Sequence, residues 1–128
     1  MSRFIHLLFA LVISLSLTAE EMKHTKDSID HVKAAVSTGS ALIIDVREPS
    51  EWNDGHLKAA TLLPLSLLTK EGGEIPASLP KDKPLYLHCR SGGRSLKAAE
   101  ILKAKGYDAR PLSAGYSQLV QDGLEKSP

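Results

Sequence analysis

One stretch constrains this chain more than any other: Pro84-Leu85-Tyr86-Leu87-His88-Cys89-Arg90-Ser91-Gly92-Gly93-Arg94-Ser95. A short apolar, strand-like run ends on the only cysteine, and a helical pattern follows from Ser95 to Lys105. Between them lie two glycines and two arginines. The first N–H groups of a helix have no intrahelical partners, and with the helix dipole they favour an anion at the turn. Glycines permit the backbone conformations that a nest of amides needs. The anion that fits is the thiolate of Cys89, because thiol pKa falls beside helix N-termini and arginines. A lone cysteine that closes a core strand is ordinarily a small inert apolar residue. The glycines and arginines behind this one point instead to a reactive thiol.

The rest of the chain supplies a frame for that turn. Asp27 to Ser37 reads as a helix, with Asp27 or Ser28 as its cap, Ile29, Val32 and Val36 on one face, and Gly39 as its stop. Ala41 to Val46 reads as a buried strand that delivers Asp45 and Arg47 at its carboxyl end. Pro49 suits the first turn of a short helix carrying Trp52, a core aromatic by this reading, and ending at Gly55. Further elements are a strand over 61–63, a helix over 65–70, a helical turn around 77–79, a strand over 85–88, a strand over 107–112 and a helix over 116–124. In the 95–105 helix, Leu96, Ala99 and Leu102 are the inward positions and Gly106 is the stop. Alternating strands and helices of these lengths predict an α/β fold, a small and mostly parallel sheet with helices on both faces. Ligands of such sheets sit at the carboxyl ends of strands, which is where Val46 and His88 place both candidate regions.

The first residues differ in kind. Arg3 is followed by the apolar run Phe4 to Leu17, then Thr18-Ala19 and the charged Glu20-Glu21. This is the form of a secretory signal peptide cut after Ala19, and the run falls short of a comfortable membrane span. The expectation is a signal peptide at 1–19, export to the periplasm, and one domain at 20–128 with its core at about 27–124. After cleavage no stable membrane insertion is expected, although a retained N-terminal anchor is the alternative. Loss of Arg3 takes the formal net charge from +1 to zero, so nothing points to nucleic acid or an anionic membrane. A single cysteine cannot pair within its own chain, and in an exported protein it suggests an intermolecular bridge or a reactive thiol.

Cys89-x-x-Gly92-x-Arg94-Ser95 resembles the active-site loop of rhodanese-like sulfurtransferases. Asp45-Val46-Arg47-Glu48, Trp52 and Gly55-His56-Leu57 are similar to the family's upstream signature, and the likeness covers about 42–119. Two departures are Ala59-Ala60 for the family's Gly-Ala, and Ala114-Gly115 with Leu119 for its late Gly-Gly and following Trp. Both are expected to lie away from the cysteine loop. The exported single-domain layout resembles the phage-shock type of periplasmic rhodanese, which implies a bacterial envelope setting.

The resemblance implies a thiosulfate sulfurtransferase with Cys89 as its nucleophile. The persulfide formed on Cys89 would be held by the loop Arg90, Ser91, Gly92, Gly93, Arg94 and Ser95. Arg94 would brace the loop against a carboxylate, Asp45 or Glu51, while Arg90 faces the anionic donor and Arg47 assists. His56 and His88 read as structural, because a preformed thiolate needs no general base. The implied partners are a small anionic sulfur donor, a thiol or cyanide acceptor and a protein sulfur acceptor, with the chain acting as a monomer. No metal or organic cofactor is required. Two other readings stand beside this one. A persulfide carrier or protein-binding module of the envelope would share the loop without turnover. A cysteine phosphatase or arsenate reductase would use a similar cradle, but with a longer spacing than the four residues between Cys89 and Arg94.

Overall fold

Residues 21–128 are described by the computed structural model. The expected signal peptide lies outside the described residues. Leu42 to Asp45 become β1, an inner strand of a four-stranded sheet ordered β2 (Ala60–Leu62), β1, β3 (Leu85–His88), β4 (Ala109–Pro111). All three pairings are parallel, and the register sets Asp45 opposite His88 at the carboxyl ends of β1 and β3. Both inner strands are almost wholly buried, which is why their sequences are apolar on successive residues instead of alternating.

Alternation still decides which face each residue serves. Ile43 and Tyr86 pack on one face with Val32 of α1 (Ile29–Ser37), Leu112, Leu124 and Leu119 of α5 (Tyr116–Gln121). Ile44, Leu85 and Leu87 pack on the other with Leu68 of α3 (Leu65–Thr69) and Ala98, Ala99 and Leu102 of α4 (Gly93–Ala104). Cys89 belongs to this second cluster. The expected layering, helices on both faces of a parallel sheet, is present. Among the described residues no helix is long and apolar enough to cross a membrane.

Several local expectations need correction. The helix after the cysteine starts at Gly93 rather than Ser95, and its buried face is Ser95, Ala98, Ala99 and Leu102. Leu96 lies on the flank, half-buried, because small residues let the helix sit close to β3 and β4. Trp52, on α2 (Pro49–Asn53), is not a core aromatic; it is half-buried and stacks on His56 at 3.6 Å. Residues 77–79 form a turn and no helix. β4 is shorter than 107–112, and Pro111 is tolerated there because β4 is an edge strand. The last helix stops at Gln121, and Gly123 takes φ +97° just beyond it.

The segment before α1 has a role that composition did not reveal. Ser28 caps α1, accepting from the His31 N–H. Asp27, the other cap candidate, instead accepts from the Tyr86 hydroxyl at 2.6 Å and from Arg110 at 2.9 Å. The Thr25 N–H donates to the Pro111 carbonyl at 2.8 Å. Residues 22–28 therefore form a strap fastened along the β4 edge.

Candidate active site

β3 ends at His88 and α4 begins at Gly93, so the cysteine loop bridges strand and helix within a few residues. Gly92 makes that possible with φ +92°, a left-handed conformation open to glycine at little cost. Its N–H donates to Cys89 Sγ at 3.0 Å. Cys89 is only 1% exposed. Burial pushes its thiol pKa up, but the backbone N–H groups of Ser95, Ser91, Gly92 and Arg94 outweigh that and bring it below the ordinary value. The loop thus favours a charge on the sulfur despite enclosing it. Ser95, fully buried, reaches back with its hydroxyl to the Gly92 and Leu112 carbonyls at 2.8 and 3.0 Å.

The arginines separate into distinct tasks. Arg94 spans to α2 and meets Glu51 with both arms, Nη1 on Oε1 and Nη2 on Oε2, the latter at 2.9 Å. Of the two expected partners, Glu51 is therefore the one used. Asp45 is taken by Arg47, whose Nε and Nη2 lie 3.0 and 2.8 Å from its carboxylate oxygens and whose N–H also donates to it. Arg47 donates further to the Gly55 carbonyl and lies 4.4 Å from the centroid of the Tyr116 ring. Asp45 and Arg47 are both buried, so their charges are matched inside the fold rather than offered to a ligand. Arg90 is exposed and has no hydrogen bond or ion pair among the described residues. It lines a cleft of about 250 Å³ with Arg47, Glu51, Asp54, Gly55, Tyr116 and Ser117. Ser91 and Gly93 sit exposed on the loop's outer side.

The two histidines hold structural positions. His56 donates from Nδ1 to the Trp52 carbonyl at 3.0 Å. His88 is fully buried, with Nε2 3.7 Å from Asp45, and burial lowers its pKa against the opposing pull of Asp45 and the Cys89 carbonyl. It is a neutral imidazole near neutral pH, facing away from the cysteine because neighbours along a strand point to opposite faces.

One expectation about this region is overturned. Ala114-Gly115 is not remote from the cysteine loop. A Cβ on Gly115 would stand 1.7 Å from the Arg90 carbonyl oxygen, and the Tyr116 N–H donates to the Cys89 carbonyl at 2.9 Å. The end of the chain backs directly onto the loop, and only glycine fits at the contact. The single glycine at 115 was visible in the sequence, but its neighbour in space was not. His24, Gly115 and Tyr116 all touch the loop or its cleft without having been picked out as site residues.

The family model for the rhodanese-like domain matches residues 28–122. The chain belongs to the rhodanese-like family. An uncharacterized protein of Bacillus subtilis is 44% identical over 66 residues, covering 52% of this chain and 49% of that protein. This rhodanese-like chain thus matches about half the length of that relative. A sulfurtransferase of Allochromatium vinosum is 35% identical over 81 residues, covering 63% of this chain and 72% of its own. Among solved structures, a rhodanese-like domain protein of Staphylococcus aureus superposes with a TM-score of 0.61 at 30% identity, covering 76% of this chain and 92% of that one. The human single-domain sulfurtransferase gives 0.63 at 23% identity, covering 74% and 94%, and shows the shared fold. Family membership, with relatives named sulfurtransferases, supports sulfur transfer as the general chemistry.

The Glu51–Arg94 pair carries a pH signature. Its hydrogen bond to Arg94, working against burial, lowers the Glu51 pKa from 4.5 to about 2. A carboxyl whose pKa is depressed on folding stabilises the fold above its unfolded value and loses that contribution as pH falls through the folded one. Denaturant melts of wild type and Glu51→Gln are therefore expected to differ most at neutral pH. The gap should close as pH falls from about 4.5 toward 2. A constant gap would show that the pair does not act through charge.

Proposed function

We propose that this protein moves one sulfane sulfur from thiosulfate, or a similar small anionic donor, to a thiophilic acceptor through a persulfide on Cys89. The observation that carries the reading is the convergence of backbone N–H groups on a buried cysteine sulfur, enough to lower its pKa against burial. The Cys89 thiolate attacks the outer sulfur of thiosulfate, a sulfur–sulfur bond forms, and the donor's own sulfur–sulfur bond breaks to release sulfite. The negative charge now rests on the terminal sulfur of the persulfide. Hydrogen bonds to a charged group contribute roughly 1.5–3 kcal/mol each, so several loop amides can hold that anion as a resting species. Cyanide then attacks the terminal sulfur, leaves as thiocyanate and restores the thiolate. A thiol acceptor takes the same sulfur as its own persulfide. Two half-reactions through one covalent intermediate give ping-pong kinetics.

Each flanking group has a part in this scheme. Arg90, exposed and unpaired among the described residues, meets the anionic donor at the cleft. Ser91, Gly92, Gly93 and Ser95 shape the cradle, Arg94 braces it on Glu51, and Asp45 with Arg47 fixes the neighbouring turn. A sulfur only 1% exposed suits a donor that presents one small terminal atom. The same feature weighs against a phosphoryl group, as does the engagement of Arg94 by Glu51, since a phosphatase arginine must be free to clamp phosphoryl oxygens. We further propose export to the periplasm, on the strength of the apolar run 4–17 and the small residue Ala19. A protein sulfur acceptor in that compartment, with the chain as carrier, remains compatible with the same loop.

Two experiments test these readings. Intact mass after thiosulfate should show one added sulfur, and cyanide should remove it as thiocyanate; Cys89→Ser should abolish both steps. Turnover of an aryl phosphate with no persulfide detectable by mass would overturn the assignment. For export, N-terminal analysis of the periplasmic fraction should find a chain starting at Glu20, and a full-length chain held in the membrane would contradict it.

A further inference from the structure

The strap and the cysteine loop meet at a single side chain. His24 Nε2 lies 2.8 Å from the Gly92 carbonyl oxygen. A carbonyl only accepts, so Nε2 carries the proton and donates. The ring sits this close because residue 92 has no side chain: a Cβ there would stand 3.0 Å from His24 Nε2 and 3.0 Å from the Ser113 carbonyl oxygen. His24 is also well anchored. Thr25 next to it is bonded to Pro111, Asp27 is tied to Tyr86 and Arg110, and Met22 packs against the core cluster that contains Cys89.

The peptide unit held by His24 lies where the cysteine loop enters α4. It joins Gly92 to Gly93, so neither flanking residue has a Cβ to oppose rotation of that unit. A rotated unit would pull its carbonyl away from its donors and loosen the backbone whose Gly92 N–H meets the sulfur. The Gly92 carbonyl also takes the first intrahelical N–H of α4, as an N-cap carbonyl does, while the one hydroxyl proton of Ser95 is shared between the Gly92 and Leu112 carbonyls. His24 adds a donor to the Gly92 carbonyl from outside the loop and its helix. We propose that His24 is a positioning residue for the sulfur chemistry, locking the Gly92–Gly93 peptide so that the loop amides stay aimed at Cys89 and its persulfide. It precedes residue 28, where the family match begins, so the device comes from this chain's own N-terminal strap. The inference rests on the persulfide reading for its catalytic meaning, although the geometry stands without it.

The test compares the pH dependence of Cys89 alkylation by iodoacetamide in wild type, His24→Ala, His24→Leu and His24→Gln. His24→Ala and His24→Leu remove the donor, the second while keeping bulk under the loop. In both, the reactivity midpoint should rise by about half a pH unit, roughly a threefold loss of thiolate below the midpoint. His24→Gln keeps an N–H donor and should restore the wild-type midpoint. Circular dichroism and thermal melts on each variant confirm that the titrated protein is folded. The proposal is overturned if His24→Leu titrates like wild type, or if His24→Gln shifts as far as His24→Ala. Sulfur loading of wild type by thiosulfate is measured alongside. If loading fails while the alkylation midpoints behave as described, it is the sulfurtransferase reading that falls, not the role of His24.

Discussion

Favouring a negative charge on a buried sulfur is the constraint around which this molecule is arranged. Taking an ion out of water costs several kcal/mol unless hydrogen bonds replace the lost solvation. Here the replacement comes from main-chain N–H groups at the start of α4, donors that no helix can satisfy internally. No cationic side chain is needed in contact with the sulfur. That leaves Arg90 free for solvent and Arg94 free to act as a strut. The arrangement depends on the loop keeping its shape, and most of the surrounding contacts can be understood as holding it.

Three independent supports converge on the loop. Glu51 on α2 grips Arg94 from the side of β1. Gly115 and Tyr116 press on it from the start of α5, where one contact admits only a hydrogen at Cα. His24 reaches the Gly92 carbonyl from the strap. Beneath them, the buried Asp45–Arg47 pair ties the turn after β1 to Gly55 and places Arg47 against the Tyr116 ring. Two carboxylate–arginine pairs at the carboxyl ends of adjacent strands therefore work in concert, one binding α2 to the loop and the other binding α2's own exit turn to β1. Their value lies in fixing one geometry, since replacing a buried ion pair with apolar residues often leaves stability unchanged.

How much of this was legible in the sequence depends on the range over which the signal acts. Strands β1 and β3 could be read from unbroken apolar runs, and the ends of α1 from Ser28 and Gly39, because those signals are local. The cysteine loop was legible for the same reason: strand, glycines and helix are contiguous. What failed were statements about which side of an element faces inward. Ala99 and Leu102 face inward as their spacing implies, but Ser95 and Ala98 rather than Leu96 complete that face, because close helix–sheet approach rewards small residues. Trp52 was assigned to the core and instead stacks on His56 at the surface side of α2. Contacts distant in sequence were beyond reach altogether. Nothing local marks Gly115 as the neighbour of Arg90, or His24 as the neighbour of Gly92, since each contact exists only once the sheet has brought both segments to one edge.

The central claim is electrostatic: main-chain amides hold the Cys89 sulfur as an anion although the residue is buried. The most direct measurement is a pH titration of thiolate ultraviolet absorbance, taken as the difference between wild type and Cys89→Ser. A free thiol titrates near 8.5, and burial alone would move it higher. The account predicts a midpoint clearly below that value. A midpoint at or above it would mean that the amides do not compensate for burial, and that the loop is a structural turn around an ordinary core cysteine.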